Sequence, residues 1–195
     1  LIEDNEGTPV VNLDQADGIG AQIVEGGDLV FGITMSGTSD EDVTVNWSMT
    51  LNGSAEAGDL TDPVVYSGSV VIPAGSTTGS ITIPTFDDSL FEGGAGSFED
   101  LTMTLTSASG ADLGSTTSVT GLIEDNEGTP VVNLDQADGI GAQIVEGGDL
   151  VFGITMSGTS DEDVTVNWSM TLNGSAEAGD LTSPIVYSGS VVIPA

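Results

Sequence analysis

Val43-Thr44-Val45-Asn46-Trp47-Ser48-Met49-Thr50-Leu51 alternates without a break between apolar and polar side chains. A period of two belongs to a strand with one face on a core and one in water, and it does not fit the 3.6-residue stripe of a helix. The phase groups Trp47 with Val43, Val45, Met49 and Leu51, so its indole is expected in the core and not as a sugar-stacking surface platform. The same rhythm recurs on either side. Leu29, Phe31, Ile33 and Met35 alternate with smaller or polar residues, and Leu101, Met103 and Leu105 alternate with threonines. Val10–Leu13, Val64–Ile72, Ser80–Phe86 and Thr116–Ile123 read as further strands. Between them lie a loop from Asp14 to Gly20, turns at Ile23–Asp28 and Ser36–Asp42, the Gly-rich Asn52–Asp59 and the turn Pro73–Ser76. Seven or eight short strands without a helical stripe predict an all-β, antiparallel β-sandwich of immunoglobulin-like architecture.

The pattern then repeats. Leu1-Ile-Glu-Asp-Asn-Glu-Gly7 returns as Leu122–Gly128, a spacing of 121 residues, and Leu1–Ala74 overlays Leu122–Ala195 with two differences, Asp62 against Ser183 and Val64 against Ile185. Duplication this faithful marks a tandem array of recent expansion. Residues 1–7 are expected to be the end of the last strand and the seam of a preceding repeat. Residues 8–128 form one complete sandwich, long enough to bury its own core, and residues 129–195 form the N-terminal part of the next. Starting without Met inside a repeat, the sequence reads as a window on a longer array.

Charge narrows the function classes. The chain has 31 Asp and Glu, no Lys, Arg or His, and a net charge of −31. It has no cation for phosphates or anionic lipid, so nucleic acid and membrane surfaces are not expected partners, and no apolar run suggests membrane insertion. Self-repulsion of this size is eased by salt and bound cations. Cys and His are both missing, so a metal would meet only hard oxygen ligands, which favour calcium, with magnesium second. Lys-to-Asn isopeptide staples are ruled out by the missing Lys. The sequons at Asn46 and Asn52 are short patterns that carry little weight, the first lying within a strand.

The acids concentrate at strand ends. The seam Glu124-Asp125-Asn126-Glu127 holds three carboxylates and an amide, and Glu25, Asp59, Asp87, Asp88 and Glu92 also lie in turns. In a sandwich alternate loops gather at the same end, so acids distant in sequence can converge on one ion. Asp40, Glu41 and Asp42 crowd a single turn and read as solvated charge, while Asp14, Asp17 and Asp28 carry no assignment. No Asp or Glu is expected on an apolar strand face.

Val24-Glu25-Gly26, Gly53-Ser-Ala-Glu-Ala-Gly-Asp59, Ser67-Gly68, Ile72-Pro-Ala-Gly75, Asp87-Asp88 through Glu92, and Ile123-Glu-Asp-Asn126 follow one another as in the Calx-β domain pattern. The resemblance covers the whole repeat. It is similar to the Calx-β modules of sodium/calcium exchangers, and the near-identical duplication resembles the extender repeats of large bacterial surface adhesins of RTX type. The resemblance implies an immunoglobulin-like fold with Ca2+ in the loops at the end from which the last strand leaves, its ligands falling on Glu25, Asp59, Asp87, Asp88, Glu92 and Asp125. Asn126 and Glu127 join them where the family has a run of aspartates, and Gly93–Phe98 is an insertion relative to the pattern. Glu146 and Asp180 repeat Glu25 and Asp59 in the second copy.

An enzyme would have to manage without His, Lys or Cys, so no nucleophile and base can be paired, and catalysis and a small-molecule substrate are not expected. The expected function is a calcium-stiffened extender of a secreted, surface-anchored adhesin or extracellular filament, whose partners are neighbouring identical repeats in the same or adjacent chains. The alternatives are a filament subunit completed by strand exchange and a Calx-β-type calcium-sensing module.

Overall fold

The computed structural model describes residues 7–15, 19–93, 96–135 and 142–195. The expectations for Leu1–Glu6 and Asp17 lie outside them. The chain divides into two compact units, Leu1–Asp88 with Gly94–Asn126, and Ser89–Gly93 with Glu127–Ala195. No helix among the described residues is long and apolar enough to cross a membrane.

The strands up to the first seam are β1 (Val10–Leu13), β2 (Ile19–Val24), β3 (Asp28–Met35), β4 (Val43–Asn52), β5 (Ser67–Ile72), β6 (Thr78–Pro84), β7 (Leu90–Phe91), β8 (Phe98–Ser109), β9 (Asp112–Leu113) and β10 (Ser118–Glu124). Of these, β7 groups with the second unit. The others form a four-stranded sheet, β6-β3-β1-β9, and a five-stranded sheet, β2-β10-β8-β4-β5. Their apolar phases meet in one core. Leu29, Phe31 and Ile33 of β3 pack with Val43, Val45 and Trp47 of β4 and with Leu101, Met103 and Leu105 of β8. β4 is paired along its whole length, with β5 on one side and β8 on the other. Its register against β8 shifts between Asn46 and Trp47, so that Trp47 faces Leu105 and both stay in the core phase.

The sandwich is not purely antiparallel. β1 pairs in parallel with β9, and β10 in parallel with β2. β2 also occupies Ile19 and Gly20, which the sequence reading assigns to a loop. Its alternation is hidden because Gly20 lies under neighbouring side chains: a Cβ there would sit 2.3 Å from Val119 Cγ2 and 3.1 Å from Phe31 Cδ1. The strand expected from Val64 begins at Ser67, although Met49 N–H still donates to the Tyr66 carbonyl at 2.8 Å.

The second unit adds β11 (Val132–Leu134), β12 (Ile154–Met156), β13 (Thr159–Ser160), β14 (Val164–Ser169) and β15 (Ser188–Ile193). β11 pairs antiparallel with β12, β14 antiparallel with β15, and β7 parallel with β13. The β11–β12 and β14–β15 registers reproduce those of β1–β3 and β4–β5 in the first repeat.

Candidate metal centre

The site is built where four strand ends of the first unit are stitched together by backbone hydrogen bonds. Glu25 N–H donates to the Glu124 carbonyl at 3.1 Å, and Gly26 N–H to the Phe86 carbonyl at 3.2 Å. Phe86 N–H donates in turn to the Asp59 carbonyl at 2.8 Å, and Thr85 N–H to the Gly27 carbonyl at 2.9 Å. Buried Thr85 adds its hydroxyl, which donates to the same Gly27 carbonyl at 2.8 Å. These links bring the β2–β3 turn, the turn before Leu60, the exit from β6 and the end of β10 to one edge of the sandwich. Gly26 is required there. Its φ of +77° is left-handed, and a Cβ would lie 2.7 Å from Asp87 Cβ.

Side chains then converge on this frame. Asn126 donates its backbone N–H to Glu25 Oε1 at 3.0 Å and its side-chain amide to Asp87 Oδ1 at 2.9 Å. A carboxylate oxygen of Glu25 comes within 4.8 Å of one on Asp88. Asp59 ends a short 3-10 turn, Ala57–Asp59, in which Glu56 N–H donates to its Oδ2. One Asp59 oxygen also lies within 4.8 Å of one on Glu99. Asp59, Glu99 and Asp125 are 8%, 6% and 5% exposed, in a chain that has no Lys, Arg or His to neutralise them.

Glu99 is the ligand candidate that the sequence reading missed. It occupies the buried phase of β8, two residues before Leu101 and four before Met103, and pairs in register with Ile123 of β10. This corrects the expectation that no acid sits on an apolar strand face. The signal was present in the sequence, because running the Leu105, Met103, Leu101 alternation back by one step lands on Glu99.

The remaining expected ligands fall differently. Glu92 belongs to Ser89–Gly93 and Glu127 opens the long segment of the second unit, so both group outside the first unit. Glu146 and Asp180 are exposed. Asp180 repeats the 3-10 turn of Asp59 and accepts Glu177 N–H at 2.8 Å. Among the described residues neither joins three acids close enough to share an ion. Of the turn read as solvated charge, Asp42 has a structural role, with its Oδ1 accepting Ala74 N–H at 2.9 Å. Both sequon side chains are engaged, Asn46 with Ser107 and Asn52 with Asp100 and Thr102.

The donor set fits a hard divalent cation. Two oxygens that each sit about 2.3–2.6 Å from one calcium ion can be no more than about 5 Å apart, and the Glu25–Asp88 and Asp59–Glu99 pairs meet that limit. A cation there would remove the repulsion between acids that the fold forces together.

Solved structures place this architecture. The chain is similar to the crystal structure of the apo-form Calx CBD1 domain, with 19% identity and a TM-score of 0.50 over 62% of this chain and 99% of that one. It is also similar to the calcium binding domain CBD12 of CALX1.1, with 18% identity and a TM-score of 0.50 over 93% of this chain and 69% of that one. No family model matches the chain, and no curated protein does either. The class defined by fold and site is therefore an all-β sandwich with a Calx-β-like fold and an acidic edge whose side chains could hold a metal.

Proposed function

We propose that the chain is a calcium-stiffened structural spacer, an extender module of a secreted, surface-anchored adhesin or extracellular filament. One observation carries the reading: Glu25, Asp59, Asp87, Asp88, Glu99 and Asp125, from turns and strand ends far apart in sequence, gather at the edge where β10 ends, without any cation in the chain. Asn126 is the last residue of the first unit, so metal bound at this edge holds the chain where it leaves the sandwich. Near-identical repeats serve length, and a chain without Lys or Arg offers trypsin-like proteases no site. The calcium-binding neighbours in the fold comparison support the choice of ion. Regulatory calcium sensing, the role suggested by resemblance to exchanger domains, gains less from identical copies.

The spacer reading is also non-catalytic. Its support is the lack of His, Lys and Cys in the chain, since Glu99 removes the argument from the absence of a buried acid. The test is thermal melting with calcium and with chelator, paired with small-angle scattering. A large rise in Tm with metal and an extended shape that loosens on chelation are expected. If neither melting nor shape responds to calcium, the reading fails.

A further inference from the structure

The flank of the first sandwich formed by β5 and β6 is set apart by its charge. Pro63 to Phe86 runs without an Asp or Glu, the longest such stretch in a chain of net charge −31, and it contains both strands. They lie side by side, a Cβ on Gly79 of β6 falling 3.1 Å from Ile72 Cγ1 of β5, and each ends its sheet. An edge strand offers unpaired N–H and C=O groups to any other strand, and sheets usually block that with a charge, a Pro or a short edge. The other edges here carry such a block. β6 ends on Pro84, β9 is two residues long and begins on Asp112, and β2 runs straight into Glu25 of the acidic edge. β5, Ser67-Gly-Ser-Val-Val-Ile72, has none.

The groups that β5 leaves free follow from its pairing. Met49 N–H donates to the Tyr66 carbonyl at 2.8 Å, in line with the β4–β5 register that sets Trp47 opposite Gly68 and Val43 opposite Ile72. Alternate residues of an antiparallel strand turn their backbone to the same side. Tyr66, Gly68, Val70 and Ile72 therefore bond to β4, while Ser67, Ser69 and Val71 turn N–H and C=O away from it. Among the described residues no strand pairs with that side. The second repeat has the same edge: Met170 N–H donates to the Tyr187 carbonyl at 2.7 Å, and β15 pairs with β14 alone. Val71 and Val192 are both 49% exposed, and Tyr66 and Tyr187 are 45% and 44% exposed, so the edge belongs to the repeat itself. Both positions at which the repeats differ lie in the segment leading into this strand, and the change from Asp62 to Ser183 takes a charge away from it.

We propose that the free edge of β5 is a lateral association surface, which takes the β5 edge of a second copy of this chain in antiparallel register about a two-fold axis at Ser69. Ser67 of each copy then lies opposite Val71 of the other and Ser69 opposite Ser69, so the free N–H and C=O groups of both strands are satisfied together. Charge selects the occupant. Approach through the acidic edge sets carboxylates against carboxylates, whereas this flank sets none, and a basic partner is drawn to the acids and away from it. Each chain carries the edge twice, at β5 and at β15, so copies can join side by side beyond a pair. No strand leaves its own sheet. The pairing does not require the metal site, so its failure and that of the spacer reading are separate results.

The test is sedimentation equilibrium of the 195-residue chain in chelator, with about 0.5 M salt to screen the net charge. An average mass that rises with concentration above that of one chain is expected. The deciding variant combines Ser69→Pro with Ser190→Pro. Proline removes an N–H that a second β5 needs and, lying on the free side, takes no bond from the β4–β5 pairing. Its Tm is expected to match the parent's while its association weakens several-fold. Ser69→Asp with Ser190→Asp, on side chains that are exposed, supplies the same block as a charge if proline disturbs the strand. A chain that stays monomeric at every concentration in salt, or folded variants that associate as the parent does, overturns the proposal. Hydrogen exchange places the contact. The amides of Ser67, Ser69 and Val71 are expected to exchange several-fold more slowly in the associated chain, and association without that slowing overturns β5 as the surface.

Discussion

Asn126 and Asp87 meet side chain to side chain, the Asn126 amide donating to Asp87 Oδ1 at 2.9 Å, while the Asn126 backbone N–H reaches Glu25. One residue at the exit of β10 therefore ties together two acids that would otherwise only repel each other. An amide can do this and a carboxylate cannot, since an ionised carboxylate only accepts hydrogen bonds.

Asn126→Asp is expected to lower stability in chelator by about 1–2 kcal/mol, as a donor is lost and a like charge is added beside Asp87. Calcium should recover most of that loss, because a carboxylate is also a metal ligand. Denaturant melts with and without metal check both halves. A variant as stable in chelator as the parent would show that the Asn126–Asp87 contact contributes nothing.

Gly26→Ala tests the frame and not the ligands. The new Cβ meets Asp87 at 2.7 Å on a backbone with φ of +77°, which L side chains rarely adopt. A loss of about 1–3 kcal/mol is expected, together with weaker calcium affinity, since Asp87 must move. Isothermal titration beside the melt reads the two effects separately.

Glu99→Gln keeps the shape of a buried side chain and removes its charge. In chelator this variant is expected to be at least as stable as the parent, because one carboxylate fewer is held against Asp59. In calcium it should lose stability relative to the parent, so the metal-induced rise in Tm shrinks. Equal rises in Tm would remove Glu99 from the metal site. A screen for polysaccharide hydrolysis on the same pair of proteins is expected to find none in either.

The two tryptophans differ in setting and not in local sequence. Trp47→Ala is expected to cost about 3–5 kcal/mol in the unfolding of the first unit, the range for a large core aromatic. Trp168→Ala in the isolated chain should cost well under half of that, with Trp168 39% exposed. Chemical denaturation of the two single variants gives the comparison, and equal costs would show that the second unit is packed like the first.

Most of the fold was legible because its strands are half-buried and alternate cleanly. Trp47 and its neighbours declared both the strand and its inward face, and the six-residue β5 needed only the turns on either side of it. β2 was not legible, because Gly20 and Ala21 leave no apolar rhythm and its partner, β10, is about a hundred residues away in parallel orientation. For the site, turn position suggests Glu25, Asp59, Asp87, Asp88 and Asp125 as candidates, and the backbone hydrogen bonds bring the strand ends that carry them to one edge. Turn position could not pick out Glu99, which lies inside a strand and was masked by its neighbour Asp100 and by the Gly-rich stretch before it. Leu90 and Phe91 illustrate another limit: they pair with Thr159 and Ser160, a partnership that no local pattern announces.

The parallel pairing of β2 with β10 sets the order in which a repeat can be completed. Val24 lies opposite Glu124, so when the chain is made from its N-terminus β2 has to wait for nearly the whole repeat to follow. During that wait the start of the chain offers the same Leu-Ile-Glu, at residues 1–3, as the end of β10, followed by the same acids. The chain's own sequence gives the ribosome-bound intermediate little with which to tell the right partner from the wrong one, and the short tether within a repeat has to make that choice by proximity.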